Sequence, residues 1–320
     1  MFCALSAARQ NSPNPDASSP VIPVSDPFYP KRKSHVETPA PFVRRKGRGP
    51  SVLCLHSSTS SSNQWQQLIE LLTERFEVIA PDLYGYGKSP GWPGDRPLSL
   101  ADEVRFLGPV LQQIAGPFHL IGHSYGAAVA FKMALTVPHR IRSVTVFEPV
   151  LFNLLFNLKE TQDAAKEVWA IRDGVRKLVH EGRTDEAGRR FIDYWSGDGV
   201  WDHLPDWQRE AIGKCMAKVV SDFDATIGSP TPLEAYRDLN IPTLFLYGVD
   251  SPAATREIAG WLGGQLPRAE VRGLLGIGHM GPVTHAEPIA RLIAQFIEHQ
   301  PTGILVHQLK RKVTESAEET

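Results

Sequence analysis

The stretch Gly122-His123-Ser124-Tyr125-Gly126 constrains this chain more than any other. It stands between the apolar run Phe118-His119-Leu120-Ile121 and a helix-forming run that begins Ala127-Ala128-Val129-Ala130. That order predicts strand, tight turn, helix. A serine at the apex of such a turn is driven toward positive φ, and glycines two residues to either side let the strand and helix pass closely. The strain costs on the order of 1–3 kcal/mol, which is hard to explain unless the exposed hydroxyl is used. Ser124 is therefore the expected nucleophile.

A hydroxyl needs a base. His279 lies in Gly276-Ile277-Gly278-His279-Met280-Gly281-Pro282, between an extended stretch and the helix expected over 284–299. Glycines on both sides make it a loop residue free to point inward. A lone histidine in such a loop is usually a surface residue. Here the order serine, acid, histidine along the chain is the one required when the nucleophile follows a middle strand and the base follows the last.

With these two blocks, residues 48–298 resemble an α/β-hydrolase of the ester- and lactone-cleaving type that carries a helical cap. Two more blocks support the resemblance. Ser51-Val52-Leu53-Cys54-Leu55 followed by His56-Ser57-Ser58 is similar to the strand and His-Gly loop that supplies one oxyanion amide in that family. Asp82-Leu83-Tyr84-Gly85-Tyr86-Gly87-Lys88-Ser89 is similar to the Asp-x-x-Gly-x-Gly-x-Ser turn after the next strand, in which the aspartate is structural. The resemblance implies an oxyanion hole formed by the amides of Ser58 and Tyr125, each donor worth about 2.7–4 kcal/mol when aligned. Ser57 stands where relatives usually have glycine. The bland reading of 57–62 is a polar loop that caps the next helix.

Two residues compete for the acid. Relatives commonly place it after the next-to-last strand, in the turn after Ile241-Pro242-Thr243-Leu244-Phe245-Leu246-Tyr247-Gly248, but Ser251 fills that slot and Asp250 lies one residue earlier. Glu148 ends the apolar strand Ile141–Phe147, the position from which a subset of the superfamily takes its acid. A carboxylate buried there needs a partner such as a histidine. Both Glu148 and Asp250 stay candidates at this stage.

The rest of the chain alternates as a mostly parallel, doubly wound α/β sheet would. Strands are expected at 51–55, 76–80, 117–122, 141–147, 241–247 and 268–272. Helices are expected at 63–74, 99–115, 126–137, 253–264 and 284–299. The rhythm breaks after Glu148. Residues 150–238 show only helical patterns and resemble an inserted cap, with core in 48–149 and 239–300. Its large apolar side chains, Phe152, Phe191, Trp195, Trp201 and Trp207 among them, exceed what short helices need for their own packing, so some are expected to line a pocket. Residues 1–47, rich in Pro, Ser, Lys and Arg, read as a disordered leader with short edge strands at 35–38 and 42–45. Residues 301–320 read as a disordered tail.

At 320 residues with 42% hydrophobic content the chain can bury a large core. A formal net charge of −1 gives no electrostatic reason to expect nucleic acid or an anionic membrane. No run of about 18 apolar residues predicts a spanning helix. Cys3, Cys54 and Cys215 are an odd count without metal-ligand spacing, which fits a reducing, cytoplasmic setting. The expected partner is a small molecule, with no cofactor or metal required. The resemblance implies acyl transfer to water on a carboxylic ester or lactone. Carbon–carbon hydrolysis and perhydrolysis use the same triad, and a receptor could keep the pocket with little turnover. A further alternative is an interaction protein working through its basic leader, Lys31-Arg32-Lys33. Dehalogenation and epoxide opening need an aspartate where Ser124 stands.

Overall fold

A computed structural model of the chain describes residues 40–156 and 159–300. Most of the expected leader, including the strand at 35–38 and the basic run, and the expected tail at 301–320 lie outside the described residues. Seven strands form one sheet in the order β1-β3-β2-β4-β5-β6-β7. They are β1 Val43–Lys46, β2 Ser51–Leu55, β3 Glu77–Pro81, β4 Phe118–His123, β5 Ile141–Phe147, β6 Thr243–Gly248 and β7 Ala269–Leu274. β1 runs antiparallel to β3, and every other pairing is parallel.

Every residue of β2 and β4 is buried, the pattern of a sheet covered on both faces. On one face, α1 (Gln66–Leu72) and a helix near the C-terminal end of the described chain bury Leu68, Leu72, Ile289 and Ile293 against Val52, Val78 and Leu244. On the other face, α2 (Leu100–Phe106), α3 (Gly108–Gln112) and α4 (Tyr125–Thr136) pack on Leu53, Ile79, Leu120 and Val146. β7 closes one edge with Glu270, Val271 and Arg272 exposed, and the two charged side chains discourage further strand pairing.

Between β5 and β6 the described residues make no strand. They form α5 (Gln162–His180), α6 (Thr184–Ser196) and α7 (Asp206–Ile227) before the sheet resumes. The remaining helices are α8 (Ala253–Gln265), α9 (Gly281–Thr284) and α10 (Ala286–Glu298), the last being the helix that packs beside α1.

Two expected helices are divided. The one expected over 99–115 breaks at Leu107, where Pro109 opens α3 without a backbone N–H to continue the ladder. The one expected over 284–299 starts earlier, at Gly281, and is interrupted at His285, whose φ of −128° is not helical. The strands at 51–55 and 141–147 have the expected boundaries.

The strand order reverses between β2 and β4, since the chain moves outward from β2 to β3 and then returns to β4 and onward to β7. In an open α/β sheet, a crevice opens outside the carboxyl ends of the strands at that point. The loops after β2 and β4 carry Ser58 and Ser124.

Candidate active site

Ser124 sits between β4 and α4 with φ 55° and ψ −117°, the strained backbone expected at the apex of a sharp turn. Its N–H donates to the Phe147 carbonyl at 2.9 Å, which pins the turn to the end of β5. The flanking glycines are required by contact. A Cβ on Gly122 would lie 2.6 Å from the Ala127 Cα, and one on Gly126 would lie 2.4 Å from the carbonyl oxygens of Leu55 and His56.

His279, in the loop between β7 and α9, is 2% exposed and points back over the sheet. Its Nε2 is 2.9 Å from Ser124 Oγ, and its Nδ1 is 2.6 Å from Glu148 Oε2. A carboxylate only accepts, so Nδ1 carries the proton and the lone pair on Nε2 faces the serine hydroxyl. The three side chains come from three loops and form one continuous line.

Glu148 is fully buried, follows β5 and also has positive φ, 46°. Its second oxygen, Oε1, accepts hydrogen bonds from the Gly248 N–H at 2.7 Å and from Ser251 Oγ at 2.5 Å. Ser251, in the slot where relatives usually carry an acid, thus braces the carboxylate that reaches in from the neighbouring strand. Asp250 is exposed, and its backbone N–H donates to the Ile277 carbonyl at 3.1 Å.

The imidazole is supported from its backbone side as well. His123 Nε2 lies 2.9 Å from the His279 carbonyl, and Gln64 Nε2 lies 3.1 Å from His123 Nδ1. Gln64 Oε1 accepts from both the N–H and the Oγ of Ser57, at 3.1 and 2.9 Å. Burial, then the adjoining His279, hold His123 well below the ordinary imidazole range, which keeps its ring neutral and able to accept from Gln64 while donating to His279. Ser57, where relatives have glycine, is therefore held by side-chain hydrogen bonds.

The loops at the strand ends are tied down by two further groups. His56 is buried, with its pKa lowered to about 4 by desolvation; its Nδ1 faces the Ser57 carbonyl at 2.7 Å and its Nε2 accepts from the Leu83 N–H at 3.0 Å. Asp82 accepts from the backbone N–H of Ser62 at 2.6 Å and of Lys88 at 2.9 Å, a structural role.

Ser124 opens into a narrow pocket. Its apolar wall is Val150, Phe152, Phe191, Trp195, Val219 and Phe223, and Ser58 and Asp222 lie at its polar side. Trp195 of α6 lies over the His279 ring, with centroids 4.0 Å apart, and covers the imidazole on its cavity side. Among the aromatic residues expected to serve core or pocket, Trp201 is fully buried, whereas Trp207 is 71% exposed and does neither. Ser58 lines the same cavity as Ser124, and the Tyr125 amide is the first of α4, a position without an intrahelical acceptor. Gln64, Lys218 and Asp222 carry no motif in the sequence, and only the packing shows their proximity to the site.

This sheet, with a serine turn after β4 and a histidine loop after β7, defines an α/β-hydrolase site. The model of the Alpha/beta hydrolase family matches residues 52–294, and the chain belongs to that family. A pimeloyl-[acyl-carrier protein] methyl ester esterase from Methylococcus capsulatus is 35% identical over 107 residues, which cover 33% of this chain and only 39% of that protein. The corresponding esterase from Nitrosomonas europaea is 23% identical over 244 residues, covering 74% of this chain and 88% of that one. The crystal structure of an α/β hydrolase from Sphaerobacter thermophilus superposes with a TM-score of 0.62 at 22% identity, covering 80% of this chain and 96% of that one. Among the described residues, no helix is long and apolar enough to cross a membrane.

Proposed function

We propose that the protein is a serine hydrolase of small, largely apolar carboxylic esters or lactones. One observation carries this reading: the unbroken line from Glu148 Oε2 through His279 to Ser124 Oγ, with spacings of 2.6 and 2.9 Å, at the reversal point of the sheet. His279 takes the proton of Ser124 as Oγ attacks the carbonyl carbon, and Glu148 holds the ring and stabilises the imidazolium. The amides of Ser58 and Tyr125 receive the oxyanion. His279 then protonates the departing alcohol, and water repeats the attack on the acyl-enzyme. Residues 150–238 act as a cap whose α6 and α7 close the acyl pocket. The narrow pocket walled by Phe152, Phe191, Trp195 and Phe223 favours short acyl groups. A cytoplasmic location belongs to the same proposal, supported by the free thiols of Cys54 and Cys215.

The test is hydrolysis of p-nitrophenyl esters of graded acyl length, together with labelling by a fluorophosphonate. The wild-type protein is expected to prefer short acyl chains and to be labelled at Ser124. Ser124→Ala should lose roughly 10³-fold or more in turnover, because the triad acts as a unit. Equal turnover by folded Ser124→Ala protein would overturn the reading.

A further inference from the structure

A buried ionic cluster adjoins the cavity and plays no part in the relay. Asp222 and Lys218 stand one turn apart on α7, and Glu103 reaches in from α2. Asp222 Oδ2 accepts hydrogen bonds from Ser58 Oγ at 2.6 Å and from Tyr86 OH at 2.5 Å. Lys218 Nζ binds Asp222 Oδ1 and lies 3.2 Å from Glu103 Oε1. That same Glu103 oxygen accepts from Tyr125 OH at 3.1 Å, and Lys218 Nζ also sits 4.5 Å from the centroid of the Tyr125 ring. The side chains of Asp222 and Glu103 are 5% and 0% exposed, and that of Lys218 is 11% exposed. Burial opposes the Lys218 ammonium, but Asp222 and Glu103 outweigh it and raise its pKa.

Well-packed apolar residues of similar volume stabilise a fold as much as such a cluster does, so stability alone does not explain its charges. Their location is more telling. Ser58 and Tyr125 are the two residues whose amides face the reacting carbonyl in the serine-hydrolase reading. The side chain of each is tied to a different carboxylate of the cluster, and one lysine of the insertion joins those carboxylates.

We propose that Lys218 and Asp222 of α7 are positioning residues of the oxyanion site: through Asp222–Ser58 and Glu103–Tyr125 they set the spacing of the two amides. The proposal rests on the serine-hydrolase reading. The Tyr125 amide opens α4, whose first residue is anchored through the Tyr125–Glu103 hydrogen bond, and Ser58 lies in a loop that lacks the usual glycine. A tether on its hydroxyl supplies the orientation, and seating α7 on the core completes the hole. The consequence is a transition-state effect, since the developing oxyanion needs both amides more than the ground-state carbonyl does.

The experiment compares Ser58→Ala, Tyr125→Phe and Asp222→Asn with wild type. The first two keep both backbone amides and all three buried charges, and each removes one tether. Turnover of a short p-nitrophenyl ester is measured per active site titrated with fluorophosphonate, alongside the phosphonylation rate of Ser124. Each variant is expected to lose kcat, up to the order of 10²-fold that removal of an oxyanion donor costs, with KM little changed. Phosphonylation should slow in parallel. The double variant Ser58→Ala/Asp222→Asn should lose no more than the worse single variant, because both cut one link.

A lower melting temperature with unchanged kcat per titrated site in Ser58→Ala and Tyr125→Phe would overturn the proposal in favour of a purely structural cluster. A raised KM at constant kcat would overturn it in favour of a substrate contact. If Asp222→Asn does not fold, the other two variants decide. Absence of labelling in the wild-type protein would remove the serine-hydrolase reading and this proposal with it; normal wild-type labelling with unaltered rates in the variants would remove this proposal alone.

Discussion

Glu148 and Asp250 differ in burial and in aim, and those two properties separate residues that look equivalent in the sequence. Glu148 has no exposed surface and three hydrogen-bond partners, His279, Gly248 and Ser251, whereas Asp250 faces solvent. Glu148→Gln is expected to lower turnover by on the order of 10³-fold or more, because an amide neither compensates the imidazolium nor enforces the tautomer. Asp250→Asn should stay near wild type. Steady-state rates of the two variants check this, and a large loss confined to Asp250→Asn would reverse the assignment. Ser251→Ala removes a donor from a buried carboxylate, for which a loss of about 1.5–3 kcal/mol in unfolding free energy is expected by denaturant titration. The sequence already marked Ser251 as the occupant of the acid's usual slot. It could not indicate that the hydroxyl turns toward a carboxylate on the neighbouring strand, because that depends on the register of β5 against β6.

At the level of elements, the turn between β4 and α4 was legible because its chemistry is local. Strand propensity, two glycines and a helix-forming run suffice to specify it, and the strain at Ser124 follows. The glycines provide a measurable consequence. Gly126→Ala would press a methyl group against the backbone oxygens of Leu55 and His56 at 2.4 Å, and backbone in a central strand cannot yield. A loss of about 3 kcal/mol or more is expected. Gly260→Ala in α8 meets nothing within 4 Å and should stabilise by up to about 1 kcal/mol. Thermal unfolding of the two variants should therefore move in opposite directions, and a neutral Gly126→Ala would contradict the close packing of α4 on β2. Helix divisions were less legible. Pro109 marks one break; at the other, α9 is Gly-Pro-Val-Thr, a run of poor helix propensity, and His285 with its non-helical φ separates it from α10.

For the whole molecule, the buried histidines set the response to acid. Burial lowers His56 and His119 from 6.5 to about 4 and pushes His123 well below the ordinary value. All three are depressed relative to the unfolded chain, so they carry no penalty above about pH 6.5, where both states are neutral. As pH falls from about 6.5 toward 4 the unfolded chain takes up protons that the folded one refuses, and stability is lost. His56 and His119 each account for up to about 3 kcal/mol of that loss. The melting temperature should thus be nearly level above pH 7 and fall steeply between pH 6.5 and 4. A melting temperature that stays level through that window would show that these rings are not held neutral by burial.

The sequence by itself determined the α/β order of elements, the serine turn, the histidine loop and the helical character of the stretch between β5 and β6. Each of these is written in short-range periodicity, glycine placement or chain order. Tertiary structure alone decided which carboxylate meets His279, that Gln64 and His123 brace its backbone, and that α7 brings Lys218 and Asp222 against Ser58 and Tyr86. Those contacts join residues from 59 to 164 positions apart. No local pattern encodes them. They follow from strand register and from the seating of the insertion on the sheet, where a buried charge or hydrogen-bonding group must find its partner in space rather than along the chain.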